Sequence, residues 1–309
     1  MSRTRFPLPW PAVALAAAAL LSGCSADGDA EGASVPELGE VPQVRSSADI
    51  PDLPLDAYVL TKEQYQAYLK AQRLLIRECM SRFGFDFRAL DVVLDAEKVP
   101  DLRPDKTRYY FLVDANTAAA SGYRVPDRAG FGGKDDGDGE DTTPTAAERA
   151  VLVGSNAGKQ VDGEQVPKGG CQGEANRETL GEDGTDTFLR LPNERVALRS
   201  RVDADERVKD VFGKWSACMK KSGHDYDDPM QANDDDRWKT PAPAGRTEIR
   251  VAEADVACKQ QANVVGVWWA VQAAYEKQYI EKNAERMADV KRTVDAILRN
   301  SGRLAGNGA

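Results

Sequence analysis

The sequence is nearly empty of histidine: His224 is the only one among 309 residues. Any Ser-His-Asp or Cys-His arrangement has to use that imidazole as its base, and no G-x-S-x-G stands near it. It follows a helix stop, beside Asp225, Asp227 and Asp228, and reads as an ordinary loop residue. A C-x-x-C pair is also missing, so a structural zinc site needs an unusual ligand set; no metal and no cofactor is assigned. Positive charge falls short of negative: 41 Lys and Arg stand against 50 Asp and Glu, a formal net charge of −9. That balance argues against nucleic acid and against anionic lipid headgroups, both of which select basic patches.

Long apolar runs are scarce too. The uninterrupted run from Ala12 to Leu21 is roughly half of the 20 or so residues a membrane-spanning helix needs. Arg3 and Arg5 precede it and Leu21-Ser22-Gly23-Cys24 closes it, the layout of an export signal. Those last four residues resemble the lipobox of bacterial lipoproteins, in which a diacylglyceryl group is attached to the Cys before cleavage in front of it. The resemblance implies residues 1–23 as signal peptide and Cys24 as the lipidated first residue, held on the extracytoplasmic face of a cell membrane. A runner-up cleavage site leaves Cys24 unmodified. Two acyl chains anchor a protein stably where one does so only marginally. Removing the two arginines of the signal takes the charge from −9 to −11.

Residues 24–56 carry no aromatic and no sustained apolar period, and read as a disordered tether. After Cys24 come Cys79, Cys171, Cys218 and Cys258. An even count outside the cytoplasm reads as disulfides.

The chain then reads as mainly α. A helix is predicted from Thr61, with Gln64 in capping-box spacing and Gly84 as the stop. Shorter helices are predicted at Ala115 to Ser121, capped by Asp114, and at Pro144 to Val153, with a disordered insertion near residues 130–142. Another runs from about Glu206 to Lys221 with Val208, Val211, Phe212, Trp215, Cys218 and Met219 on one side. Proline is absent from Thr247 to Asn300 and Gly266 is the only glycine, so the stretch reads as one very long helix, or two meeting near Gly266. Its later part, with the thin stripe Ile280, Ala284, Met287, Val290, Val294 and Ile297, packs along one partner or projects.

Aligning Cys79 with Cys218 shows a repeat: Cys79-Met80, Gly84, Asp86 and Phe87 against Cys218-Met219, Gly223, Asp225 and Tyr226. Cys171, Ala175 and Asn176 likewise match Cys258, Ala262 and Asn263. The chain reads as two diverged Cys-helix units, residues 57–200 and 201–300, followed by a tail over 301–309. Each copy holds one Cys of each type, so pairing within a copy predicts the bridges Cys79 to Cys171 and Cys218 to Cys258. The same residues make the chain resemble a group of actinobacterial secreted lipoproteins of unknown function. The resemblance rests on W-x-x-C-M-x-x-x-G-x-D-Y, matched by Trp215 to Tyr226, and G-G-C-x-x-E-A, matched by Gly169 to Ala175. A third segment of that group fits at Arg108, Tyr109, Ala118, Gly122 and Tyr123, with Asp114 displaced by one. It carries no catalytic residues over to this chain.

Asp86 and Asp225 recur after the glycine, which suggests an Asx turn closing the helix end; the alternative is a carboxylate pair for acid/base work. Asp136, Asp138 and Gly139 suit an EF-hand loop, but Lys134 and Thr145 stand where carboxylates belong, so the motif fails. Asp234 to Asp236 reads as a solvated charge run. Trp215, Trp268 and Trp269, with Tyr275 and Tyr279, read as core in preference to a sugar- or peptide-binding face. The function expected is a non-catalytic envelope lipoprotein that binds a protein partner. A wall-acting enzyme using a carboxylate pair and a small-ligand-binding lipoprotein stand as alternatives.

Overall fold

Thr61 starts the first helix through the reciprocal bonds of a capping box: its Oγ1 accepts from the Gln64 amide (3.3 Å) and its own amide donates to Gln64 Oε1 (2.9 Å). The helix so begun, α1, is Lys62–Arg82. The computed structural model describes residues 34–87, 103, 106–124, 143–182, 184–239 and 243–307. The insertion near 130–142 with Asp136, Asp138 and Gly139, the signal peptide and Cys24 lie outside the described residues.

Beyond α1 come the single turn α2, Lys106–Tyr109, then α3, Ala115–Ser121, and α4, Ala146–Val153. Two corrections apply here. Asp114 precedes α3 but does not cap it with its side chain, which instead accepts from the Ser47 amide (2.8 Å). Pro144 lies ahead of α4, whose cap is Thr145 in a second capping box with Glu148. A hairpin follows, β1 Gln160–Val161 antiparallel to β2 Glu164–Gln165, turning through Asp162 and Gly163, both at positive φ. Next are α5, Gly170–Leu180, and α6, Gly184–Asp203. Helix α6 includes Pro192, a residue that removes a backbone donor and ordinarily argues against a helix interior.

The second unit contributes α7, Glu206–Lys221, the short α8, Pro229–Asn233, and α9, Arg246–Ala262. The stretch from Thr247 to Asn300 is helical almost throughout, as predicted, but its breaks fall elsewhere. Asn263 adopts the left-handed conformation (φ 51°, ψ 42°) and ends α9. Helix α10, Val264–Lys282, therefore contains Gly266, and Asn283 separates it from the C-terminal α11, Ala284–Asn307. Asn tolerates this backbone conformation better than any residue but Gly.

Both disulfides join the residues expected. Cys79 bonds Cys171 with Cα atoms 5.5 Å apart, and Cys218 bonds Cys258 at 5.6 Å. The repeated C-M-x-x-x-G pattern proves to be one helix ending used twice. Phe85 and His224 donate back to the Met80 and Met219 carbonyls (3.2 and 2.9 Å), across glycines at φ 76° and 83°. This is the six-to-one closure that a left-handed residue after a helix allows. It closes both ends through the backbone.

The two units do not form separate bodies: residues from Pro36 onward are one compact unit. Helix α11 packs on α1, α5 and α6, while α3 packs on α9. The apolar stripe of α11 is buried at Met287, Val290, Val294 and Ile297, so this helix does not project. The main core gathers Trp215, Trp268, Phe212, Met219 and Tyr275; a smaller one surrounds the first disulfide with Ile76, Met80, Phe83, Phe87 and Val166.

Of the expected tether, residues 24–33 lie outside the described residues, and the remainder needs correction. Residues 36–60 form a strap across the second unit, with Val44, Ile50, Leu53, Leu55 and Leu60 buried. Composition predicts disorder there because the segment cannot satisfy itself. Its partners lie elsewhere in the chain, Asp114 and Arg195 among them, and Gln260, Asn263, Trp269 and Glu276 more than two hundred residues away.

Candidate functional site

The strap is held by side chains of α6, α9 and α10. Asn263 grips it like a neighbouring strand, its Nδ2 donating to the Pro42 carbonyl (2.9 Å) and its Oδ1 accepting from the Val44 amide (3.2 Å). Gln260 donates to the Arg45 carbonyl (2.7 Å), and Trp269 Nε1 to that of Pro51 (3.0 Å). Gly266 makes the close approach possible. A Cβ there meets the Pro42 carbonyl oxygen at 2.0 Å and the Asn263 side chain at 2.5 Å.

Further along, the strap plugs into a buried polar network. The Leu55 amide donates to Glu276 Oε2 (2.8 Å), Gln272 Nε2 donates to Glu276 Oε1 (2.7 Å), and Tyr109 donates to Gln272 Oε1 (2.7 Å). Arg195 bridges Glu276 (3.1 Å) and Asp56 (2.8 Å). Burial raises the Glu276 carboxyl above the usual range, against the pull of Arg195, and raises the Tyr109 hydroxyl. The side chains of Glu276, Asp56 and Arg195 are 0%, 9% and 12% exposed. Every carboxylate oxygen of Glu276 has a donor. The arrangement therefore ties the strap, α2, α6 and α10 together and leaves no Glu276 lone pair aimed at an incoming molecule.

A second network lies under the second disulfide. Asp255 accepts from Trp215 Nε1 (2.8 Å) and from Lys259 Nζ (3.0 Å), and Lys259 also donates to the Leu112 carbonyl (2.8 Å). Burial pushes the Asp255 carboxyl up and the Lys259 ammonium down, toward each other. Beside it Arg199 stacks on both Tyr109 and Trp268, 4.5 Å from each ring centre.

The residues nominated from sequence are not brought together. Asp86 and Asp225 are exposed, and Asp225 pairs with Lys220 at 3.3 Å. His224 is half-buried, and its backbone amide serves the helix ending. Within the expected charge run, Asp235 departs from a solvated role: it accepts from Tyr226 (2.8 Å) and caps a turn through the Arg237 amide (2.9 Å). Trp215, Trp268 and Tyr275 are buried, and Trp269 and Tyr279 are partly so, which places them in the core and not on a binding face. Among the described residues no group of three or more His, Cys, Asp or Glu could hold a metal ion. Sequence reasoning missed Glu276, Asp255, Lys259 and Arg195, and named Asn263 only as a position of the repeat. The only signal for Glu276 and Lys259 was a charge inside an apolar helical run. Comparison with protein-family models, with curated proteins and with solved structures finds no match to this chain.

Proposed function

We propose that the mature protein is a lipoprotein anchored through Cys24 on the extracytoplasmic face of a cell membrane, where it binds a protein partner of the envelope without catalysing a reaction. The observation that carries the reading is the use of the cysteines. The chain has five, and four of them are joined in two bridges of ordinary Cα separation. Such bridges persist in oxidising compartments outside the cytoplasm. The fifth, Cys24, ends the export signal in the lipobox-like Leu21-Ser22-Gly23-Cys24. Among the described residues no helix is long and apolar enough to cross a membrane; the anchor proposed is the lipid that the lipobox-like residues place on Cys24. Binding is preferred to catalysis because the buried titratable groups, Glu276, Asp255 and Lys259, are consumed in contacts between elements. The likeness to actinobacterial secreted lipoproteins fits the same reading.

Replacing Cys24 with alanine is expected to release the protein from the membrane fraction or to leave uncleaved precursor. A cleaved Cys24→Ala protein that still sediments with membranes rules the anchor out. Cross-linking in native membranes, followed by identification of the cross-linked species, tests the partner.

A further inference from the structure

The two disulfides share a sequence pattern but differ in access. Cys79 and Cys171 are 1% and 0% exposed inside their own apolar cluster, so no sulfur of that bridge meets solvent. Cys258 is equally buried at 1%, whereas Cys218, in the last turn of α7, is partly exposed. Thiol exchange needs a sulfur that a thiolate can reach, and exposed bridges are the labile ones. The accessible bridge is also the one next to the strap. Cys258 lies two residues before Gln260 and five before Asn263, and those two side chains hold the strap at Pro42, Val44 and Arg45. The last turn of α9 is thus tied to α7 on one side by the disulfide and to the strap on the other by three hydrogen bonds.

We infer that Cys218–Cys258 is a redox latch: its reduction by a dithiol frees the last turn of α9 and loosens the strap over residues 42–50, while the buried Cys79–Cys171 bridge stays intact. In the exchange, one thiolate of the dithiol attacks Cys218 Sγ, forming a mixed disulfide and expelling Cys258 Sγ, which takes up a proton. The second thiol then attacks the mixed disulfide. The reductant leaves as a cyclic disulfide and Cys218 returns as a thiol, so two electrons and two protons pass from reductant to protein. Loosening uncovers apolar side chains at Val44 and Ile50, now buried against the main core. The inference does not depend on lipid at Cys24.

The test is a dithiothreitol titration of the mature protein, with alkylation and mass spectrometry of each cysteine and hydrogen exchange at each step. Cys218 and Cys258 are expected to label at a reductant concentration about tenfold or more below that needed for Cys79 and Cys171. In the half-reduced protein, protection over residues 42–50 is expected to fall about tenfold or more while α1 keeps its own. Labelling of all four cysteines together overturns the latch, as does a strap that remains protected after selective reduction. The variant Cys218→Ala with Cys258→Ala reproduces the opened strap without reductant; if it does not fold, the titration of the unsubstituted protein decides alone.

Discussion

The two Cys-helix units carry the same motif and put it in different surroundings. In the first, α1 and α5 close over a small cluster that contains little besides the disulfide and its neighbours. In the second, α7 and α9 belong to the main core, and their disulfide sits beside a buried Asp255–Lys259 pair. The helix endings are superimposable in their hydrogen bonding, down to the Met carbonyl that accepts from five residues on. A short motif can therefore specify how a helix stops without specifying what the helix is buried against. The first bridge sits in its own apolar cluster between helices that Gln72–Thr179 and Arg82–Glu174 also join; the second joins helices of the main core.

The sharpest way to break this comparison is to remove each bridge. The loops closed are 92 and 40 residues in sequence separation. Chain entropy gives about 4.5 kcal/mol for the first and about 4 kcal/mol for the second, less any strain. Because it closes the longer loop, Cys79→Ala with Cys171→Ala is expected to cost the larger share and to loosen the cluster around Ile76, Met80, Phe83 and Val166. Chemical denaturation of the two double variants measures the difference; a costlier second bridge reverses the comparison.

Next in size is the buried pair. Asp255→Ala leaves Lys259, whose side chain is 2% exposed, without its counter-ion, and is expected to destabilise by about 3 to 5 kcal/mol. A loss below about 1 kcal/mol, read from the denaturation midpoint, shows that the second unit does not rely on this pair.

Gly266→Ala removes a helix-weakening glycine yet is expected to cost about 1 to 3 kcal/mol, since the added Cβ collides with the Pro42 carbonyl. Hydrogen exchange over residues 42–50 should report the displaced strap. A stabilised variant indicates that the strap does not press on α10.

The smallest effect separates the helix starts by pH. Thr61 caps α1 with an uncharged hydroxyl, whereas Asp205 caps α7 with a carboxylate that accepts from Arg207 (2.7 and 2.8 Å) and from Tyr275 (3.1 Å). The hydrogen bonds from Arg207 hold the Asp205 carboxyl below its ordinary value, against the opposing effect of burial. A carboxyl lowered on folding contributes stability that is present above its unfolded value, near 4, and is lost as pH falls through the lower folded value. Stability of α7 should therefore drop below about pH 4, and Asp205→Asn should flatten that drop at a cost of about 1 kcal/mol at neutral pH. Thermal unfolding from pH 3 to 7 of both proteins checks it; an unchanged acid profile in Asp205→Asn removes Asp205 from the account.

Much of this fold was legible residue by residue. The capping box at Thr61, the stops at Gly84 and Gly223, the bounds of α3 and α7 and both disulfide pairings follow from patterns spanning a few residues or from the internal repeat. The aromatic residues at helical spacing beside apolar neighbours are core, as their pattern indicates. Of the candidate site the sequence showed little. Glu276 and Asp255 look like routine helix charges until Arg195, Leu55 and Trp215 are seen to meet them.

What the sequence by itself determined is local: where helices begin and end, which cysteines belong to the same unit, and that the chain is mainly helical. The helix bounds depend on propensity, capping and short periods encoded within about twenty residues, and the cysteine pairing on the internal repeat. Only the tertiary structure decided that residues 36–60 are ordered, that α9 ends at Asn263 and not at Gly266, that α6 continues through Pro192, and that α11 folds back onto the first unit. The order of residues 36–60, the end of α9 and the folding back of α11 rest on hydrogen bonds or packing between residues far apart in the chain. A proline-bearing strap with no periodicity of its own becomes ordered because Asn263, Trp269 and Glu276 satisfy its backbone, and nothing within the strap announces that they will.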